Sequence, residues 1–347
     1  MVPFKVRTFR HVNHRGDFMD TTRRHFLRQS ALLIGSGSLL AACGGSSGSG
    51  ASATTVSVGL PAGGNSLSIW KPVIERRGLS ADGVALKWVG GDPGQLQTQF
   101  LSGSVDISTF GPLGTALALL KGDEIAITGP GIYGHHKWLV RDDSRARSVA
   151  DLRGKRVATG LATAEAFRAT QLILAVQGAS ADDFTWVHSQ GAAAVALFER
   201  GDVDAIYIGE PNATILVDGG ARQIGSLQEE WASATGSELP LFNAGPTLRT
   251  KWLAEHPEAA AGAVGMLVGA STSVAEDPSQ LTAVAPAIGV KPALKDVAAQ
   301  LPERMGDVYM KAFGEAEKAQ LDEIVALGVK HGLLPEAPAA KVYAELT

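Results

Sequence analysis

The sequence of 347 residues contains a single cysteine, Cys43. One thiol cannot form an internal disulfide, and it excludes a metal cluster built from several cysteines. After residue 52 the sequence also lacks Gly-x-Ser-x-Gly, His-Glu-x-x-His and Gly-x-x-x-x-Gly-Lys patterns. These patterns are typical of serine hydrolases, zinc proteases and phosphate-binding loops. The sequence after residue 52 therefore carries none of these common signatures of an enzyme.

We expect no second long apolar run after residues 31–40, which form a short apolar stretch near the N-terminus. Because a membrane span needs roughly 20 apolar residues, this pattern predicts a soluble body.

The charge is distributed unevenly along the chain. Residues 1–42 hold seven of the 31 Lys and Arg residues and two of the 35 Asp and Glu residues. The rest of the chain then carries 24 basic and 33 acidic residues, a net charge of −9. Affinity for nucleic acid comes largely from neutralised phosphates, so an acidic body argues against a nucleic-acid partner.

The N-terminal segment, residues 1–42, resembles a bacterial export signal. Arg23 and Arg24 lie in a run typical of twin-arginine signals, and Leu40-Ala-Ala-Cys43-Gly resembles a lipobox. Positive charge, a short apolar stretch and small residues before the cut are the parts of a secretory signal. Cleavage before Cys43 would leave its thiol to carry lipid. A plain signal peptide with a chance cysteine is the alternative, and a start at Met19 would give a more compact signal.

A flexible tether follows the predicted lipid site. Residues 43–53 are rich in Gly and Ser, a composition typical of flexible linkers. We therefore expect an exported protein that lies in the periplasm or at the outer face of the cytoplasmic membrane, anchored to it by lipid on Cys43.

The body alternates strand and helix patterns, which indicates an α/β fold. One segment occurs twice: Phe100-x-x-Gly-x-Val-Asp106 is repeated as Phe198-x-x-Gly-x-Val-Asp204. In each copy Phe would pack a helix on the sheet, and Gly would end that helix in the left-handed region. Either the match arises by chance, since Gly and Val are common, or the chain has two lobes of similar build. We expect residues 54–141 plus 242–347 to form lobe 1 and residues 142–241 to form lobe 2, with a helical C-terminal tail.

The order of three motifs carries a resemblance. Val149-Ala-Asp-Leu-Arg-Gly-Lys-Arg-Val-Ala158, Gly201-Asp-Val-Asp-Ala205 and Glu210-Pro211 resemble segments of ABC-importer solute-binding proteins. The most similar group is the nitrate, sulfonate and bicarbonate binders, together with taurine and thiamine-precursor-like binders. This resemblance implies a type II periplasmic-binding-protein fold with a ligand cleft between two lobes. It also implies lobe closure on a small polar compound or anion, and delivery by a monomer to a membrane permease and its ATPase.

Turns at the carboxyl ends of strands are the expected ligand site, because ligands bind there in open α/β sheets. The candidates in such turns are Asn65, Phe110, Gly111, Thr163 and Gln190. Small residues there let a ligand approach the backbone and the free N–H groups of a helix start. Ordinary strand-to-helix turns use the same residue types, so both interpretations stay open.

Three further candidates carry functional side chains. Glu210 would favour a cationic part of a ligand, because a buried charge needs a partner, or it would stabilise the start of the helix after it. Tyr133 could stack on a ligand ring and His135 could hydrogen-bond to it, or both could belong to a polar loop. Adjacent side chains of a strand point in opposite directions, so we do not expect His135 and His136 to share an ion. The sequence predicts no metal and no cofactor.

Two other functions remain open at this point. Some relatives of the thiamine-precursor group are pyrimidine synthases, which as enzymes carry a cysteine-rich motif that this chain lacks. The other alternative is a membrane-tethered sensor that binds the same ligand but acts on a signalling partner.

Overall fold

A computed structural model describes residues 53–62 and 64–346 of the chain. The predictions for the export signal, the lipid on Cys43 and most of the linker lie outside the described residues. The described chain contains two mixed β-sheets surrounded by helices. This confirms the predicted α/β fold class.

The first sheet has six strands and forms the first lobe. Its members are β1 (Thr54–Pro61), β2 (Val84–Gly91), β3 (Ile107–Phe110), β4 (Ile125–Ile127), β5 (Ile132–Tyr133) and β11 (Phe242–Arg249). The order is β2-β1-β3-β11-β4, and β5 also pairs with β11. Strand β1 runs parallel to β2 and β3, whereas β11 runs antiparallel to β3, β4 and β5.

The second sheet has five strands and forms the second lobe. Its members are β6 (Lys137–Val140), β7 (Arg156–Thr159), β8 (Thr185–His188), β9 (Ala205–Ile208) and β10 (Arg222–Ser226). Read from β8, the order is β8-β7-β9-β6-β10, which repeats the order of the first sheet. Strand β6 corresponds to β11, because each is the antiparallel strand beside the third parallel strand. The two lobes therefore share one topology.

Helices cover both sheets and form the C-terminal tail. They are α1 (Trp70–Arg77), α2 (Pro93–Leu101), α3 (Pro112–Leu120), α4 (Glu165–Val176), α5 (Gly191–Glu199), α6 (Asn212–Asp218), α7 (Leu227–Thr235), α8 (Thr250–Glu255), α9 (Pro257–Glu276), α10 (Gln280–Val284), α11 (Lys295–Met305) and α12 (Glu315–Lys330). Short 3₁₀ turns occupy Ser66–Ile69, Val149–Leu152, Ala181–Asp183 and Ala285–Ile288. Proline opens α2, α3 and α9, where its missing N–H has no helical partner in any case.

The repeated sequence segment marks equivalent junctions. Phe100 and Phe198 are each buried near the end of a helix, α2 and α5. Gly103 and Gly201 then adopt φ values of 83° and 78°, a region that favours glycine. Asp106 Oδ2 accepts hydrogen bonds from the backbone N–H and hydroxyl of Ser57 on β1. The sequence repeat is therefore a structural repeat.

Helix α9 is long and apolar. Its 20 residues reach a mean hydropathy of 1.2 within an 18-residue window, so it passes a length and composition test for a membrane span. However, 61% of that window is buried inside the protein. Its Ala263, Leu267 and Val274 are at most 1% exposed and pack in the first-lobe core with Val56 and Val58 of β1. Since each fully buried Val or Leu stabilises the fold by about 1.5–3 kcal/mol, α9 acts as a core helix.

The tail packs against more than the first lobe. Helix α9 covers the first sheet, as expected. Helix α12 instead joins a cluster that contains Leu113 of α3 and Leu172 of α4, and therefore touches both lobes. Helix α11 packs against α6 of the second lobe. The helical content of the tail agrees with the expectation, whereas its contact with the second lobe was not expected.

Strand pairing moves one expected boundary. The sequence predicts that the strand at residues 137–141 belongs to the first lobe, but β6 pairs with β9 and β10 in the second sheet. A crossing strand has no residue pattern that reveals its sheet, since its pairing partners decide it. The chain thus passes to the second sheet at residues 134–136. The lobe division 54–141 plus 242–347 and 142–241 otherwise stays a prediction.

Candidate functional site

A cavity of about 420 Å³ lies between the two sheets. All six parallel strands point their carboxyl ends at it, since it is lined by the residue at or just after the end of each one. These lining residues are Ala62, Asp92, Gly111, Gly160, Ser189 and Gly209. Open α/β sheets bind ligands at this edge. The geometry therefore places a candidate binding site between the lobes.

Seven of the eight predicted ligand residues line this cavity. They are Asn65, Phe110, Gly111, His135, Thr163, Gln190 and Glu210. Tyr133 does not line it, whereas its neighbour Ile132 does. Both residues belong to β5, where adjacent side chains point to opposite faces. That the seven residues contact a ligand stays a prediction.

Two of the seven have clear structural roles. The Asn65 side chain accepts a hydrogen bond from the N–H of Leu67 at 2.9 Å and caps the 3₁₀ turn that follows it. Phe110 is 5% exposed, and its ring centroid lies 5.5 Å from that of Phe100. Both residues shape the wall of the cavity from the first lobe.

The carboxylate of Glu210 already has partners within the chain. One oxygen accepts hydrogen bonds from the N–H of Thr214 at 2.9 Å and from its hydroxyl at 2.6 Å. The other oxygen lies 3.3 Å from Arg304 on α11. This buried charge is therefore paired without a ligand. The expectation that Glu210 needs a cationic ligand group loses its premise, and its role at the start of α6 is the one that the contacts support.

His135 and His136 both line the cavity, although we expected them to point in opposite directions. Their ring centroids lie 5.2 Å apart. The alternation rule fails here because the two residues lie between β5 and β6 rather than within a strand. No group of three or more metal-ligating side chains occurs within residues 53–62 and 64–346.

Neutral His135 forms hydrogen bonds that connect residues 134–136, where the chain crosses between the two sheets, to the first lobe. Its Nδ1 lies 3.0 Å from the carbonyl of Tyr133, so Nδ1 donates the hydrogen bond. Its Nε2 can then accept from the hydroxyl of Ser66 at 3.2 Å. Burial lowers the pKa of His135 to about 4. Burial also holds the pKa of His136 well below its usual value, and the neighbouring His135 lowers it further.

Glu165 of α4 is a cavity residue that the sequence analysis missed. Its two oxygens accept hydrogen bonds, each of 2.9 Å, from the N–H groups of Leu113 and Gly114 in the first turn of α3. A carboxylate of the second lobe thus covers a helix start of the first lobe. In the sequence Glu165 looks like any first-turn acid, and only the arrangement of the two sheets brings it to α3.

Gly111 is necessary for this contact. A Cβ at this position would lie 2.1 Å from Cγ of Glu165 and 2.2 Å from the carbonyl oxygen of Asn243. Both distances are far below van der Waals contact, so no other residue fits without a shift of the backbone. The expectation that Gly111 lets a ligand approach the backbone stays a prediction, and in this structure the side chain of Glu165 from the second lobe makes that close approach.

Asn243 is the second residue that the sequence analysis missed. It lies on β11, lines the cavity and is 7% exposed. Its Oδ1 is buried and has no hydrogen-bond partner within the described chain. Buried amide oxygens are rarely left without a partner. No sequence signal distinguishes Asn243, because it stands in a strand among small and apolar residues.

A second contact joins the lobes across the cavity. The Nδ2 group of Asn212, at the start of α6, donates a hydrogen bond of 3.2 Å to the carbonyl of Gly64. Glu165 and Asn212 are both second-lobe residues, and their side chains each form hydrogen bonds with the backbone of the first lobe.

One protein-family model matches residues 88–249, and it describes the periplasmic phosphonate substrate-binding proteins of ABC transporters. This match includes all three motifs that carry the resemblance, at residues 149–158, 201–205 and 210–211. None of the curated proteins matches the sequence.

Solved structures share the fold. The alkanesulfonate-binding protein SsuA from Xanthomonas axonopodis pv. citri, bound to MOPS, is 22% identical with a TM-score of 0.66, covering 85% of this chain and 99% of its own. The aliphatic sulphonate-binding protein SsuA from Escherichia coli is 19% identical with a TM-score of 0.63, covering 83% and 96%. The desulfurization enzyme DSZB is 18% identical with a TM-score of 0.53, covering 82% and 94%. At these identities the likeness shows a two-lobe periplasmic-binding-protein fold.

Proposed function

We propose that the chain is a periplasmic substrate-binding protein of an ABC transporter and that it captures a small polar compound or anion by lobe closure. The family model that matches residues 88–249 supports this proposal. The ligand would be sulfonate-, nitrate-, taurine- or aminopyrimidine-like, and a permease with its ATPase would receive it. The observation that carries the proposal is the cavity between the lobes, lined by the carboxyl ends of all six parallel strands.

The size and lining of the cavity support this proposal. A volume of about 420 Å³ falls within the range of about 300–1,000 Å³ that is typical of small-molecule sites. The lining combines apolar side chains, such as Leu67 and Ile208, with polar groups such as Thr163 and Gln190. A few polar groups in an apolar wall orient a small ligand and distinguish it from others of similar size.

Two of the contacts between the lobes, both at the cavity, support closure. The hydrogen bonds from α3 to Glu165 and from Asn212 to Gly64 join residues that separate if the lobes rotate apart. A ligand can favour the closed form only through contacts that the open form lacks. Turns from both lobes line the cavity, so a ligand held between them would supply such contacts.

A site outside the cytoplasm accords with the family of the matched model, which is periplasmic. Lipid attachment at Cys43 would hold the body close to the permease. Mass spectrometry of the protein from a membrane fraction would check this part. A cleaved N-terminus at Cys43 that carries acyl chains supports the anchor, and a soluble product that retains residues 1–42 contradicts it.

The capture of a ligand is tested by screening the purified body, residues 53–347, against small polar compounds. Thermal shift identifies candidates, calorimetry measures their affinity, and small-angle scattering measures compaction. A ligand that binds with 1:1 stoichiometry and reduces the radius of gyration supports the proposal. Binding without compaction contradicts lobe closure, and no binding across the library contradicts ligand capture.

We propose a binding role rather than an enzymatic one, although the fold likeness includes the desulfurization enzyme. The same screen separates the two. After prolonged incubation the bound compound is recovered and weighed by mass spectrometry. An unchanged compound supports a binding protein, and a converted compound supports an enzyme.

A further inference from the structure

The charges around the cavity are unusual for a site that takes an anion. Three acidic residues line it, namely Asp92, Glu165 and Glu210, and none of its described lining residues is Lys or Arg. Two of these carboxylates are paired with arginines that do not line the cavity: Arg168 lies 3.8 Å from Glu165, and Arg304 lies 3.3 Å from Glu210. An anionic ligand would therefore meet carboxylates without a free cation among the described lining residues.

The start of α3 is a place where an anion could bind, because free N–H groups and the helix dipole favour negative charge there. That place is filled by the chain itself. Both oxygens of Glu165 accept from N–H groups of the first turn of α3, and its side chain is 9% exposed. The absence of a side chain at Gly111 makes room for it. The carboxyl group of Glu165 thus occupies the position at the start of α3 where a ligand anion would otherwise bind.

Asn243, which also lines the cavity, carries an unpaired hydrogen-bond acceptor. Oδ1 of Asn243 is buried without a partner, and the backbone carbonyl of Asn243 borders the same small space at Gly111. A carboxylate and an amide oxygen both accept hydrogen bonds. The first turn of α5 also lines the cavity and has no side-chain cap. Its N–H groups can donate to an acceptor atom at the other end of a ligand.

We propose that Glu165 and Asn243 select against anionic ligands, so that the cavity takes an uncharged or cationic nitrogen compound with N–H donors. The inference rests on the proposed function and narrows its ligand class. It separates this chain from the structures of similar fold whose names refer to sulfonates. Burial raises the pKa of Glu165, although Arg168 and the two N–H groups oppose this, and a second anion alongside would raise it further.

The test compares compounds that share a skeleton and differ in charge. Phenyl and propyl compounds that bear a sulfonate, a carboxamide or an amidine are titrated into the purified body by calorimetry. Like charges at close range cost enough that we expect the best carboxamide or amidine to bind at least about tenfold more tightly than its sulfonate. Tighter binding of the sulfonates would overturn this inference and leave the proposed function intact. Absence of binding by every compound in a wide library would overturn both.

The variant Glu165→Gln tests whether Glu165 causes the preference for amidine over sulfonate. The amide keeps the shape and one acceptor but removes the charge, so the preference for amidine over sulfonate should fall at least about tenfold. Glu229→Gln is the matched control, because Glu229 also lies in a helix first turn but does not line the cavity. An unchanged preference in E165Q, with its fold verified by circular dichroism, would overturn the role of Glu165. If E165Q does not fold, the ranking of the wild-type ligands still decides the inference.

Discussion

The helix after the third parallel strand begins beneath a glutamate in both lobes, but the two glutamates differ in origin. In the first lobe, α3 receives Glu165 from the other lobe. In the second lobe, α6 receives Glu210 from the turn immediately before it. Glu165 therefore joins the lobes directly, whereas Glu210 stabilises its own helix and reaches the tail through Arg304. The two lobes thus share one topology, but the glutamate at this helix start has a different role in each lobe.

The largest effect that we expect concerns the glycine after the third strand of each lobe. A Cβ at Gly111 would overlap a backbone oxygen at 2.2 Å, whereas a Cβ at Gly209 would meet the ring atoms of His135 and His136 at 3.0 and 3.1 Å. Backbone cannot move aside as side chains can. We expect Gly111→Ala to lower the free energy of unfolding by about 4 kcal/mol and Gly209→Ala by about 1 kcal/mol. Urea unfolding measures both, and equal losses would contradict the asymmetry between the lobes.

The next comparison concerns Arg249 and Arg141, which lie at the ends of the equivalent antiparallel strands β11 and β6. Arg249 donates to the carbonyls of Phe100 and Val105 at 2.8 and 2.7 Å and lies 3.2 Å from Asp106. Arg141 donates to the carbonyl of Val203 at 2.7 Å, and its side chain is 37% exposed.

Because Arg249 satisfies more partly buried acceptors, we expect Arg249→Met to cost about 3 kcal/mol and Arg141→Met about 1 kcal/mol. The methionine keeps most of the aliphatic packing in both variants. Chemical denaturation of the two variants checks the difference. A greater loss of stability for Arg141→Met than for Arg249→Met would contradict the prediction that Arg249 contributes more to stability.

The stability of the protein should depend on pH through His135, which lies where the chain crosses between the lobes. The pKa of His135 is about 4 in the folded protein, so the unfolded chain takes up a proton at a higher pH than the folded chain does. Stability then falls as the pH drops below about 6.5, and the loss from this residue reaches about 2 kcal/mol at pH 5. His135→Gln should flatten the profile between pH 7 and pH 5. The exposed His256 serves as the control, and a profile that H135Q leaves unchanged would contradict the assignment.

Much of this architecture could be predicted because its signals are local. The repeated Phe-x-x-Gly-x-Val-Asp segment encodes a helix end, a left-handed glycine and a strand start within seven residues. It therefore indicated two similar lobes, and turns at strand ends indicated the edge where the cavity lies. The sheet to which β6 belongs could not be predicted, since pairing is a property of two strands and not of one.

The same distinction applies to the site. The location of Thr163 and Gln190 in the wall of the cavity could be predicted, because the position of a turn relative to a strand is visible in the sequence. The partners of Glu210 and Glu165 could not, because Arg304 lies 94 residues from Glu210, and Leu113 lies 52 residues from Glu165. Asn243 was missed for a related reason, since an unpartnered acceptor is recognised by what surrounds it in space.

Asn243 gives the smallest expected change in stability and the sharpest separation of stability from binding. Its buried Oδ1 has no partner, so the folded protein bears a desolvation cost that nothing in the described chain offsets. Replacement by leucine, which has a similar volume, removes that cost. We expect Asn243→Leu to raise the free energy of unfolding by up to about 1 kcal/mol, while affinity for the ligand falls because the acceptor is lost. Thermal unfolding and calorimetry on the same samples measure the two effects. A loss of stability without any change in affinity would show that Asn243 serves the first-lobe sheet and not the ligand.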